Sequence, residues 1–247
     1  FIKDQGPELS KFNLEIFLDK NEKEFSQKLN EIYKAIEITR KNLNRDKSLI
    51  AFIGAPWTLL VYMLNIKKDK NEIDLDKENI NIDKILNKLI NFLCIHIENQ
   101  ISSGADVVQV FDSWAGLIPN DHIKDYCFIP NAKIVEFCKK KKIPNICFPR
   151  GLKDKYKEFN QLVNPDGINI DYEIDPQWAK DNLRNVVLQG GLDPKILLKS
   201  EKEMIEGATK YIKIFKDIPY VFNLGHGLLP ETDPDRVMKL IKFYRNN

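Results

Sequence analysis

Residues 222–232 read Phe-Asn-Leu-Gly-His-Gly-Leu-Leu-Pro-Glu-Thr, and the imidazole of His226 stands between two glycines. Gly225 and Gly227 remove side chains that would crowd the backbone, and they permit positive φ. The run Tyr220–Phe222 before them reads as a buried strand. The turn therefore lets a group at a strand end face into a pocket; the plainer alternative is a tight turn with an incidental histidine. Other polar groups follow other apolar runs: Tyr62 beyond Gly54-Ala55-Pro56-Trp57, then Asp112 and Ser113 beside Phe111, and Arg150, Asp171 and Gln189. Together they offer an aromatic ring, hydroxyls, two carboxylates, a guanidinium and an imidazole. No trio has metal-ligand spacing, no Ser–His–acid order stands out, and no cofactor fingerprint follows a strand. A polar mouth without metal or nucleotide calls for a substrate that supplies its own reactivity. No metal and no cofactor are expected.

The elements that must position these groups alternate regularly. Apolar runs at 49–53, 107–111, 145–148, 167–170, 186–188 and 220–224 read as buried strands. Amphipathic patterns predict helices over 22–43, 57–64, from Ile85 to Gly104, over 121–141, and in the segments after each later strand. Asp175-Pro176, Asp193-Pro194 and Asp233-Pro234 each supply a capping aspartate and a proline for the first helical position. Residues 65–83 are mostly Lys, Asn, Asp, Glu and Ile and read as a solvated connection. His96, inside an apolar helix, reads as structural, and His122 as solvated.

Short strands alternating with helices mean a parallel sheet covered on both faces. An open doubly wound sheet and a (β/α)8 barrel compete. No glycine-rich phosphate loop supports the open sheet, so the reading is α/β, a (β/α)8 TIM barrel lacking its first strand–helix portion. Residues 1–247 then form a single incomplete barrel domain, and the start at Phe1, without methionine, suggests residues upstream. In such a barrel the active site lies at the carboxyl ends of the strands, where the polar groups above fall.

Bulk properties narrow the rest. With 247 residues, 43% hydrophobic and 30% charged, the chain reads as an ordinary globular protein. A net charge of +2 without a clustered basic face argues against nucleic acid. No stretch has the length of a membrane span and no signal peptide is visible, so a cytoplasmic location is expected. Cys94, Cys127, Cys138 and Cys147 form no CxxC pair and read as small core hydrophobes.

Four segments carry a resemblance. Phe52 to Leu59 with Tyr62 and Met63 resembles the GAPWTL..YM segment of the uroporphyrinogen decarboxylase family. Gln109 to Gly116 is similar to its QxFDSWAG, and Leu188 to Pro194 to its LQGNLDP, with Gly191 in place of the usual Asn. Asn223 to Gly227 with Pro230 and Thr232 resembles NLGHGxxPxT. The resemblance implies a (β/α)8 barrel, usually homodimeric and without cofactor. It implies the conversion of the four acetates of uroporphyrinogen III to methyls, giving coproporphyrinogen III in haem synthesis. Tyr62, Ser113 and His226 match the family's substrate-binding tyrosine, serine and histidine, and Phe111 would pack on the macrocycle. Arg150 is added on chemical grounds, because a substrate with eight carboxylates needs cations near the mouth.

The family's RQAGRY segment, and the aspartate after its FSD-type strand, are absent from these residues. Neither Asp112 nor Asp171 matches that aspartate, so the catalytic residues are unknown and expected upstream of Phe1. The chain taken alone is expected to be inactive, and the full-length protein active. Two rivals remain. One is a zinc- and corrinoid-linked methyltransferase of the related barrel group, whose His-x-Cys signature has Leu228 at the cysteine position here. The other is a non-catalytic barrel fragment.

Overall fold

The computed structural model describes residues 13–64 and 81–247. Three short helices come first: α1 (Leu14–Asp19), α2 (Glu22–Lys28) and α3 (Asn30–Asn42). The single helix expected over 22–43 is thus broken at Leu29, whose ψ of 4° leaves the helical range. Strand β1 (Ile50–Gly54) leads into α4 (Pro56–Met63), and α5 (Ile82–Ser102) follows. The solvated connection expected over 65–83 lies outside the described residues as far as residue 80, and its last two residues already belong to α5.

Next come β2 (Val107–Asp112), α6 (Ile129–Lys141), β3 (Asn145–Pro149), α7 (Tyr156–Val163) and β4 (Gly167–Ile170). Then α8 (Pro176–Asn182), β5 (Val187–Gly190), α9 (Glu201–Phe215), β6 (Tyr220–Val221) and α10 (Pro234–Arg245) complete the chain. The helix expected over 121–141 is continuous but not uniform: a 3-10 turn, Asn120–His122, leads into a π-helical turn, Lys124–Phe128, before α6. Pro130 has no N–H to give to Tyr126, and the wider turn, closed by the Ile129 N–H on the Lys124 carbonyl, absorbs the loss. All three Asp-Pro pairs cap as expected. Asp175, Asp193 and Asp233 accept from the backbone N–H groups of Trp178, Lys195 and Asp235. The sixth strand is shorter than the expected 220–224. Asn223 turns its side-chain oxygen onto the N–H of Leu224, and only a single bridge, Leu192 to Leu224, continues the pairing.

The six strands of the described residues are all parallel and lie in chain order, β1 to β6. A doubly wound sheet must reverse its order at a switch point. An unreversed order is the wall of a barrel. Register assigns the faces, because paired residues of parallel strands point the same way. Ala51, Ile53, Val108, Val110, Cys147, Ile168 and Leu188 are buried, and all of them but Ala51 pack with the helix residues Trp57, Leu60, Ile85, Leu89, Ile134 and Phe159 in one cluster. The opposite face carries Phe52, Gln109, Phe111, Phe148, Asn169 and Gln189. Phe52 is 64% exposed there. Its ring meets that of Phe111 at 5.9 Å, and Phe111 meets Phe148 at 6.0 Å. Among the described residues no helix is long and apolar enough to cross a membrane.

Candidate active site

The loops that follow β1 to β4 are bonded to one another in sequence around the rim, and the β4 and β5 loops both meet the β6 loop. The first two are joined by Thr58, one turn into α4. Its hydroxyl donates to Asp112 Oδ1 at 2.8 Å and accepts from the backbone N–H of Trp114 at 3.2 Å. Trp57 adds a bond from Nε1 to the Trp114 carbonyl at 2.9 Å. Ser113, between these anchors, has its backbone fixed on both sides. The second and third loops meet through Gly116, whose N–H donates to the Arg150 carbonyl at 2.9 Å. A Cβ on Gly116 would lie 3.0 Å from the Cα of Gly151, so both glycines serve close approach. Gly151, at φ +82°, passes the contact on by donating its N–H to Asp171 Oδ2 at 2.8 Å. Asp171 and Tyr172 in turn lie against Gly225, whose own N–H donates to the Leu192 carbonyl at 2.8 Å.

This rim encloses a cavity of about 380 Å³. Ser113, Trp114, Arg150, Lys153, Tyr172 and Glu173 are among its lining residues. Of the expected site residues, Ser113 and Arg150 therefore share one cavity. Tyr62 stands beside it, exposed at the end of α4, with its ring edge-on to Trp114 at 6.3 Å. Phe111 lies one residue position below Asp112 on the inner face, in the row of phenyl rings. His226 is exposed and is not among the lining residues, and its Nδ1 lies 3.5 Å from the Gly227 carbonyl. The two flanking glycines also differ from expectation. Neither has positive φ. Gly225 is required because a Cβ there would fall 2.4 Å from the Tyr172 backbone nitrogen, whereas a Cβ on Gly227 would meet nothing within 4 Å.

Three polar groups expected at the mouth do other work. Asp112 points to the helices, where Thr58 and the Asn131 side chain donate to its two oxygens at 2.8 and 3.0 Å. Burial, partly offset by these donors, pushes its carboxyl up to about 6. Asp171 lines the cavity but is spent on structure, accepting from the N–H groups of Gly151 and Glu173 and from the Tyr156 hydroxyl. Gln189 lies beneath the mouth, where its amide donates to Gln109 at 3.2 Å and Asn169 at 2.8 Å. His96 is structural as expected, with Nδ1 3.0 Å from the Tyr33 hydroxyl. Thr58, Asn131 and Lys153 are the functional supports and lining residue that sequence reasoning passed over. Thr58 stands inside the PWTL segment and carried a signal; Lys153 carried none.

The donor set for a zinc thiolate does not assemble. Among the described residues no three His, Cys, Asp or Glu side chains are placed so that they could hold a metal ion. Cys147 is buried on the helix-facing side of β3, and burial raises its thiol well above the ordinary range.

Comparison with known proteins identifies the family. Residues 1–246 match the family described as Uroporphyrinogen decarboxylase (URO-D). The "Uroporphyrinogen decarboxylase" of Orientia tsutsugamushi (strain Ikeda) is 36% identical over 254 residues, which cover all of this chain and 74% of that protein. That of Rickettsia bellii (strain RML369-C) is 37% identical, covering 99% of this chain and 74% of that protein. The chain thus spans about three quarters of the length of these two relatives. Among solved structures, a methyltransferase from Methanosarcina mazei superposes with a TM-score of 0.72 at 17% identity, over 87% of this chain and 63% of that one. That likeness concerns the barrel fold alone. The loops after β1, β2, β5 and β6 carry the family-like motifs, and the match runs along almost the whole sequence: the chain belongs to the uroporphyrinogen decarboxylase family.

Proposed function

We propose that this chain carries the substrate-binding wall of an enzyme that decarboxylates the four acetate arms of uroporphyrinogen III to give coproporphyrinogen III. The observation that carries this reading is the placing of the family's serine, Ser113, and a guanidinium, Arg150, on one cavity at the strand ends. The substrate is its own electron sink. A proton adds to a pyrrole ring carbon and makes a cationic ring. The bond from the acetate methylene to its carboxylate then breaks, and the electron pair flows into the ring as carbon dioxide leaves. Protonation of the methylene and loss of the ring proton leave a methyl group, so one proton replaces each carbon dioxide. The protein has only to bind, orient and stabilise charge.

In this reading Tyr62, Ser113 and His226 hydrogen-bond the carboxylates, Phe111 packs on the macrocycle, and Arg150 binds a carboxylate with charge-assisted bonds. The protein acts as a homodimer in the cytoplasm, with residues 1–247 as one incomplete barrel domain. In an enzyme that also holds the RQAGRY and FSD-type segments, Arg150→Ala raises KM on the order of tenfold and leaves kcat nearly unchanged. An unchanged KM removes Arg150 from the site. The 247-residue chain alone binds the porphyrinogen without turnover, and carbon dioxide release by it would refute that part of the reading.

A further inference from the structure

Rested on that reading, the cavity's own lining says which carboxylates it takes. A second cation, Lys153, lines it with Arg150. Lys153 sits two residues beyond Gly151 with a backbone φ of +53°, in the left-handed region that non-glycine residues avoid. Among the described residues neither Lys153 nor Arg150 makes an ion pair with an acid. The two acids that share the cavity do not pair them either. Asp171 is buried and turns its carboxylate to the N–H groups of Gly151 and Glu173 and to the Tyr156 hydroxyl, and among the described residues the Glu173 side chain has no hydrogen-bond or ion-pair partner. The volume of about 380 Å³ is near the lower end for ligand pockets, enough for carboxylate arms but not for four rings.

The chemistry of the reaction then divides the arms. A carboxylate that is to leave as carbon dioxide must release an electron pair towards the ring. Two cations gripping that carboxylate hold the charge where it is and stabilise the ground state more than the transition state, which slows the step. Cations of this kind serve arms that stay. We infer that Lys153, together with Arg150, binds the carboxylates that survive the reaction, and that the arms to be lost lie outside this cavity.

Of the eight carboxylates, four leave and four remain, so substrate and product carry the surviving arms alike. The test is anaerobic equilibrium binding of uroporphyrinogen III and coproporphyrinogen III to the chain and to single variants, with melting temperatures to check folding. Lys153→Ala is expected to weaken both ligands by a similar factor, on the order of tenfold, and Lys153→Arg to restore both. Glu173→Gln, which removes the opposing charge, is expected to tighten both. A loss confined to uroporphyrinogen III would mean that the cavity holds departing arms and would overturn the inference. So would equal affinity in wild type and Lys153→Ala, or weaker binding in Glu173→Gln. If the unaltered chain binds neither porphyrinogen, the proposed function itself fails, and the inference fails with it; binding by the unaltered chain with a variant pattern other than the one expected sinks the inference alone.

Discussion

The rim at β2 and β3 and the rim at β6 hold their functional groups by opposite means. Around Ser113 the support is polar and buried. Asp112, at 1% exposure, is bonded by Thr58 and Asn131, and Thr58 and Trp57 both bond Trp114. Around His226 the residues 226–228 are exposed, and the loop is seated by a steric fit of buried Gly225 against Tyr172 and one bond to Leu192. The first loop is over-determined by its partners; the second depends on the absence of a side chain. A buried polar network fixes the backbone of a serine, while the imidazole stands on an exposed turn beside a sterically seated glycine.

The contrast breaks hardest at Gly225. Gly225→Ala puts a carbon 2.4 Å from a backbone nitrogen that cannot move alone. It is expected to cost about 3 kcal/mol in chemical denaturation. Gly227→Ala, which meets nothing, should stay within about 0.5 kcal/mol. Equal effects of the two would mean that the β6 loop is not seated by steric fit.

The next effect is at Asp112. Asp112→Asn replaces an acceptor with an amide group that faces the donors Thr58 and Asn131, and should cost about 2 kcal/mol. It should also change the pH profile. The folded carboxyl titrates near 6, above the ordinary 3.8, so between these values the folded state holds a proton that the unfolded state has lost. Stability therefore falls as pH rises from about 4 to 6 and is level above that. The asparagine variant should lack this fall, and a fall of the same size in both would assign it elsewhere.

The smallest effect is expected far from the rim. Burial lowers the pKa of His96 below the ordinary 6.5, so the folded state binds fewer protons than the unfolded state as pH drops. Stability is therefore lost as pH falls through about 6.5, and His96→Gln should flatten that loss in thermal melts from pH 7.5 to 5.5. An unchanged profile would show that His96 does not carry it.

The two loops were not equally legible. The strands and their order of appearance follow from apolar runs, and the Asp-Pro caps from local chemistry alone. The facing of Asp112 was legible too, by period: Phe111 and Asp112 are neighbours on one strand, so if the ring faces inward the carboxylate must face the helices. The same residue pair could not both belong to the mouth. Pro130 within the expected helix signalled the π-helical turn. The need for Gly225 could not be read, because it arises from Tyr172, fifty-three residues away in sequence and adjacent only once the barrel wall has formed. Lys153 entered the cavity for a like reason, through a left-handed backbone that no neighbouring residue announces.

Because the strands lie in chain order, the distances between partners along the chain are unequal. Ile146 meets Gly167 and Gly167 meets Val187, separations of 21 and 20 residues, whereas Ile50 meets Val107 across 57. Closing the long span costs about 0.9 kcal/mol more conformational entropy than either short one. Assembly of the wall therefore starts most cheaply at its middle, with β3, β4 and β5. Both outer staves join a surface already formed, and β1 docks at the greatest entropic cost.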